Sequence, residues 1–160
     1  MRKGNIILIG MPGCGKSTVG KLLAQALNRP FVDTDAEIVR KTNKTIPAIF
    51  AEVGEAGFRK LETQVLAELG QKSSYVIATG GGCVTREENY ALLHQNGKIY
   101  WLERDCAQLP TEGRPLSQKD SLAQMYAKRK PLYEAFADAV VWNTQAPRDA
   151  VNEILEGRTV

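Results

Sequence analysis

No apolar run in this sequence approaches the ~20 residues needed to cross a bilayer as a helix, so no membrane span is expected. The apolar run that follows Met1-Arg2-Lys3-Gly4 is too short for a secretory signal, which predicts a cytoplasmic chain. Histidine occurs once, at His94. Histidine-based catalysis and histidine metal clusters are therefore not expected, and His94 reads as a surface helix residue. The three cysteines, Cys14, Cys83 and Cys106, are odd in number and form no C-x-x-C pair. That pattern predicts reduced thiols rather than a disulfide framework or a zinc site. There is no run of five basic residues and no interleaving of aromatic with basic residues, so nucleic-acid binding is not indicated. Internal repeats and low-complexity segments are also lacking. What remains is a chain of 160 residues, 43% hydrophobic, with a net charge of +3. It suits one domain over 1–160 with a sizeable core.

Against those absences stands one dense motif. Gly10 to Ser17 reads G-M-P-G-C-G-K-S and matches the phosphate-binding pattern G-x-x-x-x-G-K-[ST]. Asn5 to Ile9 upstream is a short β-branched apolar run, as expected of a buried parallel strand. Val19, Leu22, Leu23, Ala26 and Leu27 downstream recur at helical spacing. Gly10, Gly13 and Gly15 permit backbone conformations that a Cβ would obstruct. Loop N–H groups and the helix N-terminus can then converge on phosphate oxygens. In this pattern Lys16 reaches the β- and γ-phosphates and the Ser17 hydroxyl holds Mg²⁺. The Cys14 thiol lies near a helix N-terminus, where thiol pKa values fall. Two readings stay open for it, a reactive thiol and a small filler shielded by the loop.

Further along, Phe31-Val32 makes a very short second strand running into Asp33-Thr34-Asp35. In an extended chain these two carboxylates point the same way. One of them could instead cap a helix beginning near Ala36. Ile46 to Leu69 reads as two helices broken at Gly54 to Gly57. Glu62 falls on or beside the stripe of Phe58, Leu61, Val65, Leu66 and Leu69, with Arg59 within reach three residues earlier. A lone carboxylate there is costly, which argues against an ordinary surface ion pair. Ser74 to Thr79 is a third strand, running into Gly80-Gly81-Gly82, bare backbone that a ligand can approach closely. This strand carries no aspartate, so Asp33 is the candidate metal-side carboxylate. A helix is expected near Glu87 to His94 and a fourth strand over Lys98 to Leu102. Glu103 to Asp120 is a long polar loop containing Arg114, of the kind that forms active-site lids. In the following helix Arg129 shares a face with Leu122, Met125, Tyr126 and Tyr133, and either finds an anion or snorkels outward. Ala139 to Trp142 is a fifth strand, and Pro147 opens a last helix. The alternation of strand and helix predicts an α/β fold with a parallel sheet, and ligands beyond the carboxyl ends of its strands.

The P-loop taken with D-T-D at 33–35, G-x-x-x-F-R-x-x-E from Gly54 to Glu62, T-G-G-G at 79–82, R-P-L at 114–116 and K-R-x-P-L-Y at 128–133 resembles the shikimate kinases. The resemblance runs from Ile6 to about Leu155. It implies a three-layer sandwich on a P-loop NTPase core, with a five-stranded parallel sheet of order 2-3-1-4-5. It also implies a substrate-binding region at about 34–60 and a lid at about 104–120. The implied reaction is transfer of the ATP γ-phosphoryl group to the 3-hydroxyl of shikimate, with Mg²⁺, by a monomer. The implied shikimate ligands are Asp35, Arg59, Gly80, Gly81, Gly82 and Arg129. Lys16, Asp35 and Arg114 would be catalytic, and Ser17 and Asp33 would lie on the metal side. Gly13, Cys14, Gly15, Lys16, Ser17, Thr18 and Pro147 would hold the nucleotide.

The chain departs from the family in the lid. Cys106 to Gly113 lacks the additional arginine that stacks on adenine in many members, and Arg104 stands early for that part. Gln145 sits where a second adenine-side arginine would be. Two other readings compete, a kinase for another small polyol acid such as gluconate, and a nucleotide-binding module without catalysis.

Overall fold

The computed structural model describes residues 4–105 and 117–157, apart from the side chains of 117–121. Its centre is the strand β1 (Asn5–Ile9), whose five residues are all buried. β1 pairs in parallel with β3 (Val76–Ala78) on one side and with β4 (Gly97–Glu103) on the other. β2 (Phe31–Asp33) and β5 (Ala139–Trp142) form the edges, giving the order β2-β3-β1-β4-β5. This is the expected five-stranded parallel sheet. A strand buried on both faces needs a continuous apolar run, and Ile6, Ile7, Leu8 and Ile9 provide one at 3% exposure or less.

The helices α1 (Lys16–Leu27), α2 (Thr34–Thr42), α3 (Ile46–Gly70), α4 (Glu88–His94), α5 (Ser117–Phe136) and α6 (Pro147–Gly157) cover the sheet. α1 packs on α6, and α3 packs on α4. α1 stops at Asn28, which takes the left-handed conformation (φ 54°) and turns its N–H back onto the last carbonyls. The expected break in the long helical stretch falls at Gly54 (φ 71°, ψ −178°), and Ile46–Gly70 is two helical segments meeting there. The third strand is shorter than expected, because the chain turns at Ser74 (φ 65°) before pairing. A 3₁₀ turn over Cys83–Thr85 follows the glycines.

α2 requires a correction. The sequence left Asp33 to Asp35 either extended or, through one aspartate, capping a helix that begins near Ala36. The helix instead begins at Thr34, with Asp33 as its N-cap, Oδ1 accepting from the Ala36 N–H at 3.1 Å. Asp35 therefore projects from the first helical turn. The cap wins because it satisfies an otherwise orphaned donor at no cost in chain length.

The far ends of the strands are held by Asn5, which is 1% exposed. Its Nδ2 donates to the Lys72 carbonyl at 2.8 Å, and its Oδ1 accepts from the Tyr75 N–H at 2.9 Å. This ties β1 to the turn that leads into β3. Asn5→Ala should cost about 1–3 kcal/mol in urea unfolding at unchanged m-value, since it strands a backbone donor. A loss within about 0.5 kcal/mol, the scatter of a neutral surface change, would mean that the turn is held by its backbone alone.

Candidate active site

The phosphate loop Gly10–Gly15 joins β1 to α1 at the carboxyl end of the sheet. Gly15 precedes the helix with φ 98°, and a Cβ there would stand 2.5 Å from Asn143 Nδ2. Glycine is thus required twice, by conformation and by space. Asn143 lies just past β5 and is 6% exposed. It donates from Nδ2 to the Cys14 carbonyl at 2.9 Å and from its backbone to the Glu103 carbonyl at 2.8 Å. The loop is therefore anchored to the ends of β4 and β5, a tie that no motif in the sequence announced. Cys14 is 1% exposed, and its N–H is turned to the Met11 carbonyl at 3.2 Å. Of its two readings, the shielded filler is the one the packing supports.

Lys16 is 8% exposed and folds over its own loop. Its Nζ donates to the carbonyls of Gly10 at 2.7 Å and Met11 at 2.9 Å, with Cys14 Sγ at 3.7 Å. The Ser17 hydroxyl donates to Asp33 Oδ2 at 2.7 Å. Asp33 therefore both caps α2 and faces the loop serine. Pro12, Gly13, Gly15, Lys16, Ser17, Thr18, Asp33, Asp35, Thr79, Gly80, Gly81 and Arg104 line one crevice of about 550 Å³. Pro147 is not among these lining residues.

The second half of the site is built around Gly80-Gly81-Gly82. A Cβ on Gly80 would stand 2.8 Å from both Asp35 Oδ1 and Glu62 Oε2, and one on Gly82 would stand 2.2 Å from Arg59 Nη2. Gly81 lies as tightly against Pro12 of the phosphate loop. Glu62 is 0% exposed and accepts from Arg59 Nη1 at 3.0 Å. The ion pair read from the spacing is thus a buried one. Arg59 also lies 3.6 Å from Glu55. Burial pushes the Glu62 carboxyl above its ordinary range, against the pull of Arg59 and Arg129. Asp35 is raised likewise, by burial first and then by the charge of Asp33, while Lys16 and Arg59 oppose. Asp35 Oδ1 and Glu62 Oε2 are buried with no hydrogen-bond partner.

Arg129, half-buried on α5, lines a neighbouring hollow of about 460 Å³ with Glu55, Thr85, Met125 and Leu132. Glu55 and Thr85 also line the hollow at Arg59, of about 660 Å³, so the two arginines border adjoining space. One turn on, Tyr133 is fully buried, donates its hydroxyl to the Gly81 carbonyl at 2.6 Å, and stacks on Trp101. Burial raises its pKa, with Arg129 opposing through charge and a hydrogen bond. The sequence showed Tyr133 on an apolar face and at the end of the K-R-x-P-L-Y motif, without a site role, because its spacing is that of a core residue. Arg114 and Cys106 lie outside the described residues.

Ser17 and Asp33 offer hard oxygen donors 2.7 Å apart at the loop, which suits Mg²⁺. Among the described residues no group of three or more His, Cys, Asp or Glu could hold a metal ion by itself.

Comparison with known proteins agrees with this geometry. The family model described as Shikimate kinase matches residues 12–158. The shikimate kinase of Burkholderia pseudomallei is 41% identical, over 94% of this chain and 85% of that protein. That of Chromohalobacter salexigens is 43% identical, over 94% and 89%. Among solved structures, shikimate kinase from Acinetobacter baumannii in complex with shikimate superposes with a TM-score of 0.91 at 38% identity, covering 98% of this chain and 93% of that one. Shikimate kinase from Aquifex aeolicus gives 0.86 at 37% identity, covering 97% and 96%. With a parallel sheet of the expected order, a phosphate loop at its carboxyl end and this agreement over nearly its whole length, the chain belongs to the shikimate kinase family of ATP-dependent kinases.

Proposed function

We propose that the crevice binds ATP with Mg²⁺ on the phosphate loop and shikimate beside Gly80–Gly82, and transfers the γ-phosphoryl group to the 3-hydroxyl of shikimate. The observation that carries this reading is Asp35. Its carboxylate shares the crevice with Lys16 and Ser17, and its Oδ1 is buried, unpartnered and beside Gly80. Such an oxygen suits the proton of an attacking hydroxyl. A bond forms between the 3-oxygen and Pγ, the bond from Pγ to the bridging oxygen of ADP breaks, and the hydroxyl proton passes to Asp35. Ser17 and Asp33 would hold Mg²⁺, which would neutralise charge on the phosphates. Lys16 adds positive charge on the transferring group, and Arg114 takes the corresponding part from the lid on the strength of the sequence alone.

Arg59 and Arg129 bind the shikimate carboxylate. Glu62 holds Arg59 in place and leaves its remaining N–H groups for the ligand. Tyr133 fixes the glycine floor from the same helix as Arg129. The protein acts as a monomer in the cytoplasm on this reading, and among the described residues no helix is long and apolar enough to cross a membrane.

ADP release measured in a coupled assay, with and without shikimate, tests the reading as a whole. Turnover should depend on shikimate and not on gluconate. Shikimate-independent hydrolysis alone, or no turnover, would defeat it.

Asp35→Asn should lower kcat by about 10²–10⁴-fold while the protein stays folded. The same change should raise Tm at pH 7. A carboxylate whose folded pKa is raised contributes stability below its unfolded value and loses it as pH rises through the folded one. The Tm advantage should therefore shrink on acidification and vanish below 3.8, the ordinary value of the group. A variant less stable than wild type at pH 7 would show that Asp35 is held by the fold rather than strained by it.

Gly82 has φ −98° and ψ 7°, so alanine is allowed there by conformation but not by the Arg59 guanidinium. Gly82→Ala should raise the shikimate KM roughly tenfold or more, as expected for loss of one charged hydrogen bond, and leave the ATP KM nearly unchanged. Equal rises in both KM values would place the damage in the loop instead.

A further inference from the structure

Arg104 is the first residue past β4 and lies in the wall of the phosphate-loop crevice. Its starting point is fixed. The side chain of the preceding Glu103 is 4% exposed and accepts from the Tyr126 hydroxyl at 2.9 Å. The Glu103 carbonyl accepts from Asn143, whose side chain also holds the Cys14 carbonyl. The chain just before Arg104 and the phosphate loop are thus tied to one residue, which starts the Arg104 side chain beside the loop.

The guanidinium itself is poorly satisfied. Nη1 reaches the Gly13 carbonyl only at 3.5 Å, the outer limit of a hydrogen bond. Nε is buried without a partner. Among the described residues no carboxylate forms an ion pair with Arg104. A half-buried arginine with donors to spare, facing a phosphate loop, is arranged for an anion with several oxygens.

We propose that Arg104 is a nucleotide-binding residue that grips the polyphosphate of ATP and ADP over Gly13, from the side of the crevice opposite Asp33 and Asp35 in the chain's order of strands. This rests on the kinase reading above and adds a phosphate contact from β4 to those of the loop. The fork of donors contributes to holding the polyphosphate in both substrate and product, so it acts on binding more than on the chemical step.

The test uses the full chain with Arg104→Gln and Arg104→Lys. Affinity for MgADP should fall about tenfold in Arg104→Gln, the equivalent of one charged hydrogen bond, with partial recovery in Arg104→Lys. Magnesium tripolyphosphate, which has no base, should weaken as a competitive inhibitor by a similar factor. The ATP KM should rise more than kcat falls, while Tm and the shikimate affinity measured without nucleotide hold. Unchanged MgADP affinity in Arg104→Gln would overturn the proposal. Weakened MgADP with unchanged tripolyphosphate would also overturn it, by moving the contact to the base. A drop in Tm with equal losses for shikimate and nucleotide would reduce Arg104 to a prop for the loop. Shikimate-dependent turnover by the wild-type chain stands or falls separately from all three outcomes.

Discussion

The two halves of this site meet on bare backbone. Gly80 lies under the carboxylates of Asp35 and Glu62, Gly81 against Pro12, and Gly82 against the Arg59 guanidinium. None of the three has a positive φ, so the demand is for space and not for a special conformation. Any Cβ in the run would push apart the phosphate loop, the capped helix α2 or the arginine-bearing helix α3. Nor is the run a loose turn. The Gly80 N–H donates to Thr34 Oγ1 at 3.0 Å, the Gly81 carbonyl accepts from Tyr133, and the Gly82 carbonyl accepts from Thr85 Oγ1 at 2.6 Å. Tied in this way to two helices and a 3₁₀ turn, the floor is held in place.

That arrangement places charge where it is expensive. Glu62 is fully buried, and a lone ionised carboxylate there would cost several kcal/mol. Arg59 at 3.0 Å offsets much of this, and Arg129 adds attraction from a second helix. Such a pair contributes little to stability compared with an apolar substitute. What it does provide is orientation. A guanidinium held on one edge by a buried carboxylate keeps its other edge in a fixed plane, and planar recognition of a ligand carboxylate depends on that plane. The cost of ordering Arg59 falls at folding instead of at binding.

The legible part of the site was the part coded by local spacing. The phosphate loop, the glycine run and the Arg59–Glu62 pair each sit within a few residues, and each carries a local chemical oddity: a glycine cluster or a charge on an apolar stripe. The break at Gly54 was legible for the same reason. Asp33 to Asp35 stayed open between two readings because two local rules compete there. Strand geometry and helix capping both fit D-T-D, and only the packing of α2 decides between them. Asn143 was not legible beside the loop at all, Tyr133 showed only within a motif and an apolar face, and Arg104 only as standing early for an adenine-side arginine. Asn143 meets the phosphate loop across 129 positions of sequence, Tyr133 meets Gly81 across 52, and Arg104 meets Gly13 across 91. A polar residue whose partner is that remote leaves no periodic trace, and a tyrosine with core spacing looks like core.

Asp33 and Asp35 show how two identical side chains two residues apart are given different surroundings. Asp33 spends both oxygens on the protein, Oδ1 on the Ala36 N–H and Oδ2 on the Ser17 hydroxyl. It is fully engaged as a fixed negative charge beside the loop, the condition suited to a metal-side group. Asp35, one helical position past Thr34, turns towards the glycine floor, where Oδ1 finds no donor. Burial raises its pKa, and the fixed charge of Asp33 raises it further. An unsatisfied, more basic carboxylate suits a proton acceptor, and a satisfied one does not. The helix start at Thr34 is what separates them. Had the chain stayed extended, both carboxylates would have faced one way in one environment, and neither role would have been singled out. The N-cap therefore does more than end a strand. It rotates the second aspartate out of the first one's surroundings and creates the difference in environment that the proposed roles require.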